Sequence, residues 1–199
     1  MRRLIFTAIA LGMTTAAAAQ EHTLINGNVA IRAFGEPVAK YAWINEQSSL
    51  LAGGRGGVIL NRSFVIGGAG YGLVNDVHGS PTGVGGPLAL RFGYGGGTIE
   101  YIMMPDAVAH MSITSLVGAG GTSWVESRNR GFDDDRQVGR SDAFFVFEPG
   151  LNLEVNLTHG IRVNVGATYR LLSGVEQAGL RDSDLSGPSA TFSVKLLGH

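Results

Sequence analysis

Residues 151–170, LNLEVNLTHGIRVNVGATYR, alternate strictly between apolar and polar positions. Leu151, Leu153, Val155 and Leu157 share one parity, continued across a turn by Ile161, Val163, Val165, Ala167 and Tyr169. Asn152, Glu154, Asn156, Arg162, Asn164, Thr168 and Arg170 occupy the other. A period of two with one apolar and one polar face is a β-hairpin. In a soluble sandwich the apolar face is the core, whereas in a membrane barrel it meets lipid and the polar face lines the lumen. Alternation alone does not choose between them.

The same pattern, punctuated by turn residues, predicts eight strands near 39–47, 49–60, 63–75, 88–103, 109–123, 142–157, 160–175 and 188–198. Gly95–Gly97 divide the fourth strand, and the switch of polar parity from Arg91 to Glu100 across them predicts a bulge. The connections decide between the two architectures. Asn61-Arg62, the segment MPDAVA (104–109) and Thr158-His159-Gly160 are tight turns, and between them fall the long polar stretches 75–86, 124–141 and 176–187. In an up-and-down sheet, connections that alternate short and long collect at opposite ends. That asymmetry, with strands long enough to cross a bilayer at a tilt, is what outer-membrane barrels show. The expected fold is all-β, an eight-stranded up-and-down antiparallel transmembrane β-barrel.

Composition sharpens this picture. Residues 1–19 read as a signal peptide, with Arg2 and Arg3, an apolar run from Leu4 to Met13 and the small cluster Ala16–Ala19. Residues 20–38 then form a pre-barrel segment and 39–199 the barrel domain. The mature chain is expected in the outer membrane after export, with the periplasm as the alternative. Glycine makes up 31 of 199 residues and is interleaved with Val, Ile, Leu and Tyr, which marks strongly curved strands rather than a linker. There are no cysteines, so neither disulfides nor a thiolate nucleophile enter the reading. A formal net charge of −1 leaves no basic footprint for nucleic acid.

If the apolar parity faces lipid, the lumen receives an interior polar network of Arg55, Arg91, Glu100, Glu148, Asn152, Glu154, Asn156, Arg162, Asn164, Thr168, Arg170 and Lys195. An eight-stranded barrel is just wide enough for side chains to fill, so these groups must pair with one another and the lumen is too narrow for a general porin. Tyr94, Tyr101, Trp124, Phe144 and Tyr169 are the expected interface girdle.

With these features the chain resembles the small bacterial outer-membrane β-barrel superfamily. The segments GGRGGVILNRSFVIGGAGYGLVN (53–75), FFVFEPGLNLEVN (144–156) and SDLSGPSATFSVKL (183–196) look like a subgroup of these proteins in Gram-negative bacteria. The resemblance implies a monomer whose partners are outer-membrane lipid and, during insertion, the barrel-assembly machinery. Its implied role is structural, or surface binding through the long loops.

Two other functions stay open on the sequence. His110-Met111-Ser112 places a base and a nucleophile on one strand face, as in the lipid A 3-O-deacylase barrels, which use a His-x-Ser pair with a downstream Glu. Glu126 is the nearest downstream residue but lies past the far end of the strand, so Glu100 on the neighbouring strand is the better third member, giving Glu100, His110 and Ser112 as catalytic candidates for a lipid-modifying hydrolase. The alternative is a soluble periplasmic barrel holding a small apolar ligand inside. FDDDR (132–136) clusters carboxylates without the spacing of a calcium loop and reads as a solvated loop, so no metal and no cofactor is expected.

Overall fold

β1 (Ile31–Ile44) sets Phe34, Glu36, Val38, Lys40, Ala42 and Ile44 on the buried face and Ala33, Gly35, Pro37, Ala39, Tyr41 and Trp43 outside. It begins eight residues before the expected 39, because its outward positions are mostly small and do not read as an apolar stripe. Residues 31–38 therefore belong to the barrel and not to a pre-barrel segment. The computed structural model describes residues 29–75, 77–83, 86–126, 137–175 and 180–198. The signal peptide, residues 20–28 and FDDDR lie outside the described residues.

β2 (Gln47–Leu60), β3 (Phe64–Leu73), β4 (His78–Gly83), β5 (Gly86–Met103), β6 (Ala109–Glu126), β7 (Gln137–Asn156), β8 (Ile161–Ser173) and β9 (Gly187–Leu197) follow, with one turn of helix, α1 (Asp182–Leu185), before the last strand. Every pairing is antiparallel. Sequential neighbours pair except β3 and β4, β1 pairs β9, and β3 pairs β5, so eight strands close into a barrel while β4 folds back on the start of β5 outside the ring. Full closure leaves no sheet edge, which a spanning structure requires in a medium that cannot hydrogen-bond. The ladder from β1 to β9 is interrupted at Glu36-Pro37, since Pro37 has no N–H to donate.

The turns obey local chemistry. Asn45-Glu46 and Asn61-Arg62 all have positive φ (50°, 61°, 47° and 65°); the first pair is the left-handed pair of a two-residue type I′ hairpin, and the second belongs to a three-residue turn, 61–63, between the paired Leu60 and Phe64. Asn45-Glu46 sits at the long-connection end and is tied down by Asn45 N–H donating to the Asp184 carbonyl at 2.7 Å. That end thus carries three long connections and one tight turn, an exception to the alternation.

β5 is continuous through Gly95–Gly97, in register with both β3 and β6, and its even positions from Leu90 to Ile102 face inward. No bulge lies there. Register irregularities lie instead between β6 and β7, at Thr122/Trp124, and between β4 and β5, at Gly79/Gly83. Without the bulge, Arg91 keeps its odd parity and points out of the barrel, which corrects its expected place in the lumen.

The exterior is a continuous apolar surface. Leu151, Leu153, Ile113, Val165, Phe192 and Leu196 are exposed, with Tyr41, Trp43, Phe145 and Tyr169 toward the long connections and Phe64 and Tyr101 near the short turns. From Ala33 to Trp43 is ten steps of β1, or about 33 Å of strand, which at a tilt of about 40° projects to about 25 Å, the height of an outer-membrane apolar band. Tyr94, Trp124 and Phe144 are not in the girdle: all three are buried inside. They join Leu90, Phe92, Val146, Leu172, Leu180 and Leu185 in an apolar cluster that caps the lumen under α1.

Glycines divide by face. An added Cβ on inward Gly57, Gly96 or Gly118 would overlap the neighbouring strand's carbonyl, of Ile66, Val117 and Gly95 respectively, so close backbone approach requires glycine there. Outward Gly35, Gly72 and Gly97 meet nothing within 4 Å.

Candidate functional site

The lumen below the apolar cap is where the charged side chains converge, because inward positions of β1, β2, β5, β7, β8 and β9 alternate around it. Near the short turns, fully buried Lys195 donates from Nζ to Glu154 Oε1 at 2.5 Å and to Glu100 Oε1 at 3.2 Å. Arg55 pairs through Nη2 with Glu100 Oε2, and its Nε lies 3.4 Å from Glu36 Oε2. Glu36 Oε1 also accepts from Ser193 Oγ at 2.5 Å and Asn164 Nδ2 at 3.2 Å. Arg162 Nη1 and His110 Nε2 reach Glu154 Oε2 at 3.4 and 3.3 Å.

A second group sits higher. Lys40 pairs with Glu148, whose other oxygen accepts from Tyr94 Oη at 2.5 Å, and the Lys40 ammonium stands 3.7 Å over the Tyr71 ring. Arg170 is fully buried, donates from Nε to the Leu185 carbonyl at 2.8 Å and lies 5.1 Å over the Phe92 ring, so it anchors α1 to the barrel top. Removing each of these ions from water costs several kcal/mol, which is offset only where it gains several partners. Shared carboxylates supply that: Glu154 takes three cationic or imidazole partners and Glu100 two.

Glu100, Glu148, Asn152, Glu154, Arg162, Asn164, Thr168, Arg170 and Lys195 lie buried in the lumen, and the Arg55 side chain joins them. Asn156 is half-buried at the short-turn mouth, donating to the Ala107 carbonyl at 2.9 Å. Glu36 and Lys40 escaped sequence reasoning. Their shared parity with Phe34, Val38 and Ala42 is the signal, masked because this inward face mixes apolar and charged residues.

The catalytic candidates assemble only in part: Ser112 lies within hydrogen-bonding reach of Glu100, but His110 turns to other partners. Glu100, His110 and Ser112 are all enclosed in the lumen. The His110 ring faces Glu154 and the Ala107 carbonyl, while Ser112 Oγ accepts from Asn152 Nδ2 at 3.4 Å. Among the described residues no hydrogen bond joins His110 to Ser112. Glu126 is opposite Leu88 and Ser112 opposite Ile102, fourteen positions apart on one strand, or about 46 Å.

Two spaces interrupt the packing. At the short-turn end an open vestibule of about 1080 Å³ is lined by Arg32, Arg62, Asp106 and Arg162 among others. Midway through the barrel lies a void of about 30 Å³, far too small for solute passage.

No family model and no curated protein sequence matches the chain. Solved structures do match in fold. Neisserial surface protein A aligns over 85% of this chain and 99% of its own, with a TM-score of 0.55 and 10% identity. The N-terminal β-barrel domain of Pseudomonas aeruginosa OprF covers 84% and 97% at a TM-score of 0.49 and 12% identity. Ail of Yersinia pestis covers 84% and 97% at 0.45 and 11%. At such identity the likeness is one of fold: the chain has the architecture of the small bacterial outer-membrane barrels.

Proposed function

We propose that this protein resides in the outer membrane as a lipid-embedded, plugged barrel that presents its three long connections at the cell surface for structural or binding roles. The observation that carries the reading is the inversion of the two faces. Large apolar side chains cover the outside and ion pairs fill the inside, the reverse of a soluble barrel built around an apolar ligand. The apolar cap and the small mid-barrel void argue for a scaffold rather than a pore. The short turns then face the periplasm, and outer-membrane lipid and the barrel-assembly machinery are its partners, with the barrel acting as a monomer.

Envelope fractionation of cells expressing the full chain, with unboiled and boiled samples compared on a denaturing gel, tests this. Outer-membrane recovery with a heat-dependent mobility shift is expected, together with cleavage inside 127–136 by protease added to intact cells. Soluble periplasmic recovery without a shift, or protection of 127–136 in intact cells, would overturn the placement or its orientation.

A further inference from the structure

The mid-barrel void of about 30 Å³ lies between the two ion clusters, with Lys40 and Glu148 on one side and Glu36 and Arg55 on the other. Five of its lining residues each carry a buried side-chain polar atom that makes no hydrogen bond within the protein, two of them facing each other as an ion pair at 3.4 Å, Arg55 Nε and Glu36 Oε2. The five atoms are Glu36 Oε2, Arg55 Nε, Thr98 Oγ1, Asn164 Oδ1 and Thr168 Oγ1. They come from four strands, β1, β2, β5 and β8. Leaving such groups unpaired in a low-dielectric lumen is costly, and native interiors rarely do so.

The chemistry of the five atoms selects the occupant. Glu36 Oε2 and Asn164 Oδ1 only accept; the Asn164 orientation is fixed because its Nδ2 already donates to Glu36 Oε1. Arg55 Nε only donates. Whatever fills the void must therefore both donate and accept. A metal cation cannot accept from Arg55, and an inorganic anion cannot donate to Glu36. The charges on the walls also sum to zero, two carboxylates against Lys40 and Arg55, so no net charge is called for. The space exceeds the roughly 10–15 Å³ needed to house one water, and four partners are the most that a water takes.

We infer that this void is a built site for a single long-lived water that donates to Glu36 and Asn164, accepts from Arg55 and a threonine hydroxyl, and ties the Glu36–Arg55 side of the lower ion cluster to the β5 and β8 walls just beneath Lys40 and Glu148. The lower cluster is open to the short-turn vestibule through Arg162, which lines that space and contacts Glu154. At the other end the apolar cluster beneath α1 closes the lumen. The water is thus a structural member of the plug, bridging strands that share no ladder.

The test uses the refolded full-length protein and two substitutions at one position. Thr98→Val keeps the shape and removes one hydroxyl. Thr98→Ile adds a methylene, about the volume of the void. Filling a dry cavity stabilises a protein, whereas expelling a bridging water strands its partners and destabilises it. The urea midpoint of Thr98→Ile is therefore expected below that of both wild type and Thr98→Val. In parallel, a crystal structure of the wild type should show one peak within 2.6–3.2 Å of at least three of the five atoms. Bilayer NMR should show a water cross-peak to the Thr98 or Thr168 methyl. A midpoint for Thr98→Ile at or above wild type, a void without density, or an anomalous peak there after rubidium exchange would each overturn the assignment. Should Thr98→Ile fail to give the heat-shifted folded band, the wild-type density and cross-peak still decide the question.

Discussion

Lys195 offers the most decisive perturbation of the lumen. It is fully buried, and its ammonium is held between Glu100 and Glu154. Lys195→Met preserves the length and apolar stem while removing the charge, leaving two carboxylates that face each other across the same gap. Removing one member of a buried ion pair costs about 3–5 kcal/mol. The lower value applies, because Arg55 still holds Glu100, and Arg162 and His110 still reach Glu154. About 3 kcal/mol is roughly a hundredfold in the folded-to-unfolded ratio. With a denaturant slope of about 2 kcal/mol per molar, the urea midpoint should fall by about 1.5 M. Equilibrium unfolding followed by the heat-shifted band and by tryptophan fluorescence measures it. The paired variant Lys195→Met/Glu154→Gln removes the stranded charge and should recover more than half of the loss. A single variant as stable as wild type, or a double variant no better than the single, would refute the ion-pair account of the plug.

Other outcomes follow from the two faces of the wall. Leu151→Arg places a cation at the middle of the outward face of β7 and should cost about 2–4 kcal/mol in bilayers, read by the same unfolding titration. Gly57→Val forces a side chain into the Ile66 carbonyl and should abolish the heat-shifted folded band, whereas Gly97→Val, directed into open space, should keep it. In planar bilayers the purified protein should give no steady single-channel steps, since the apolar cap and ion network fill the lumen; regular steps would refute the plugged barrel.

Most of this architecture is written in the chain at the resolution of side-chain parity. The hairpin at 151–170 declares its faces because every inward strand residue except Gly166 is polar and every outward one apolar, and the structure pairs it in the register that alternation implies. Where one face loses its chemical signature the reading fails. On β1 the outward residues before 39 are mostly Ala, Gly and Pro, so the strand does not read before residue 39 and Glu36 is lost with it, while Lys40, inside the expected strand, is hidden by an inward face that mixes apolar and charged residues. On β5 the three glycines carry no parity information, so the switch from Arg91 to Glu100 reads as a bulge that brings both inward, although the uninterrupted register carries Arg91 outward. The girdle fails at three of its five positions for another reason: Tyr94, Trp124 and Phe144 are as apolar as lipid-facing rings, and only three-dimensional closure shows that the long-connection end of the lumen needs them as a cap. The catalytic reading of His110 and Ser112 rested on sequence spacing, but ring orientation is set by Glu154 on the adjacent strand, a partner that spacing does not reveal.

In the outer membrane proposed for this protein, the glycines on the outside of β2, β3 and β5 would have a consequence for the surrounding lipid. On that arc the bilayer touches bare backbone, while across the barrel Phe145, Phe147, Leu151, Leu153, Val165 and Phe192 hold the acyl chains off by a layer of side chains, about 5 Å deep if it is half the spacing of packed sheets. The hydrogen-bonded cylinder and the cavity it cuts in the bilayer are therefore not concentric. Turning this protein about the membrane normal exchanges a smooth wall for a knobbed one, so its lipid annulus has a front and a back.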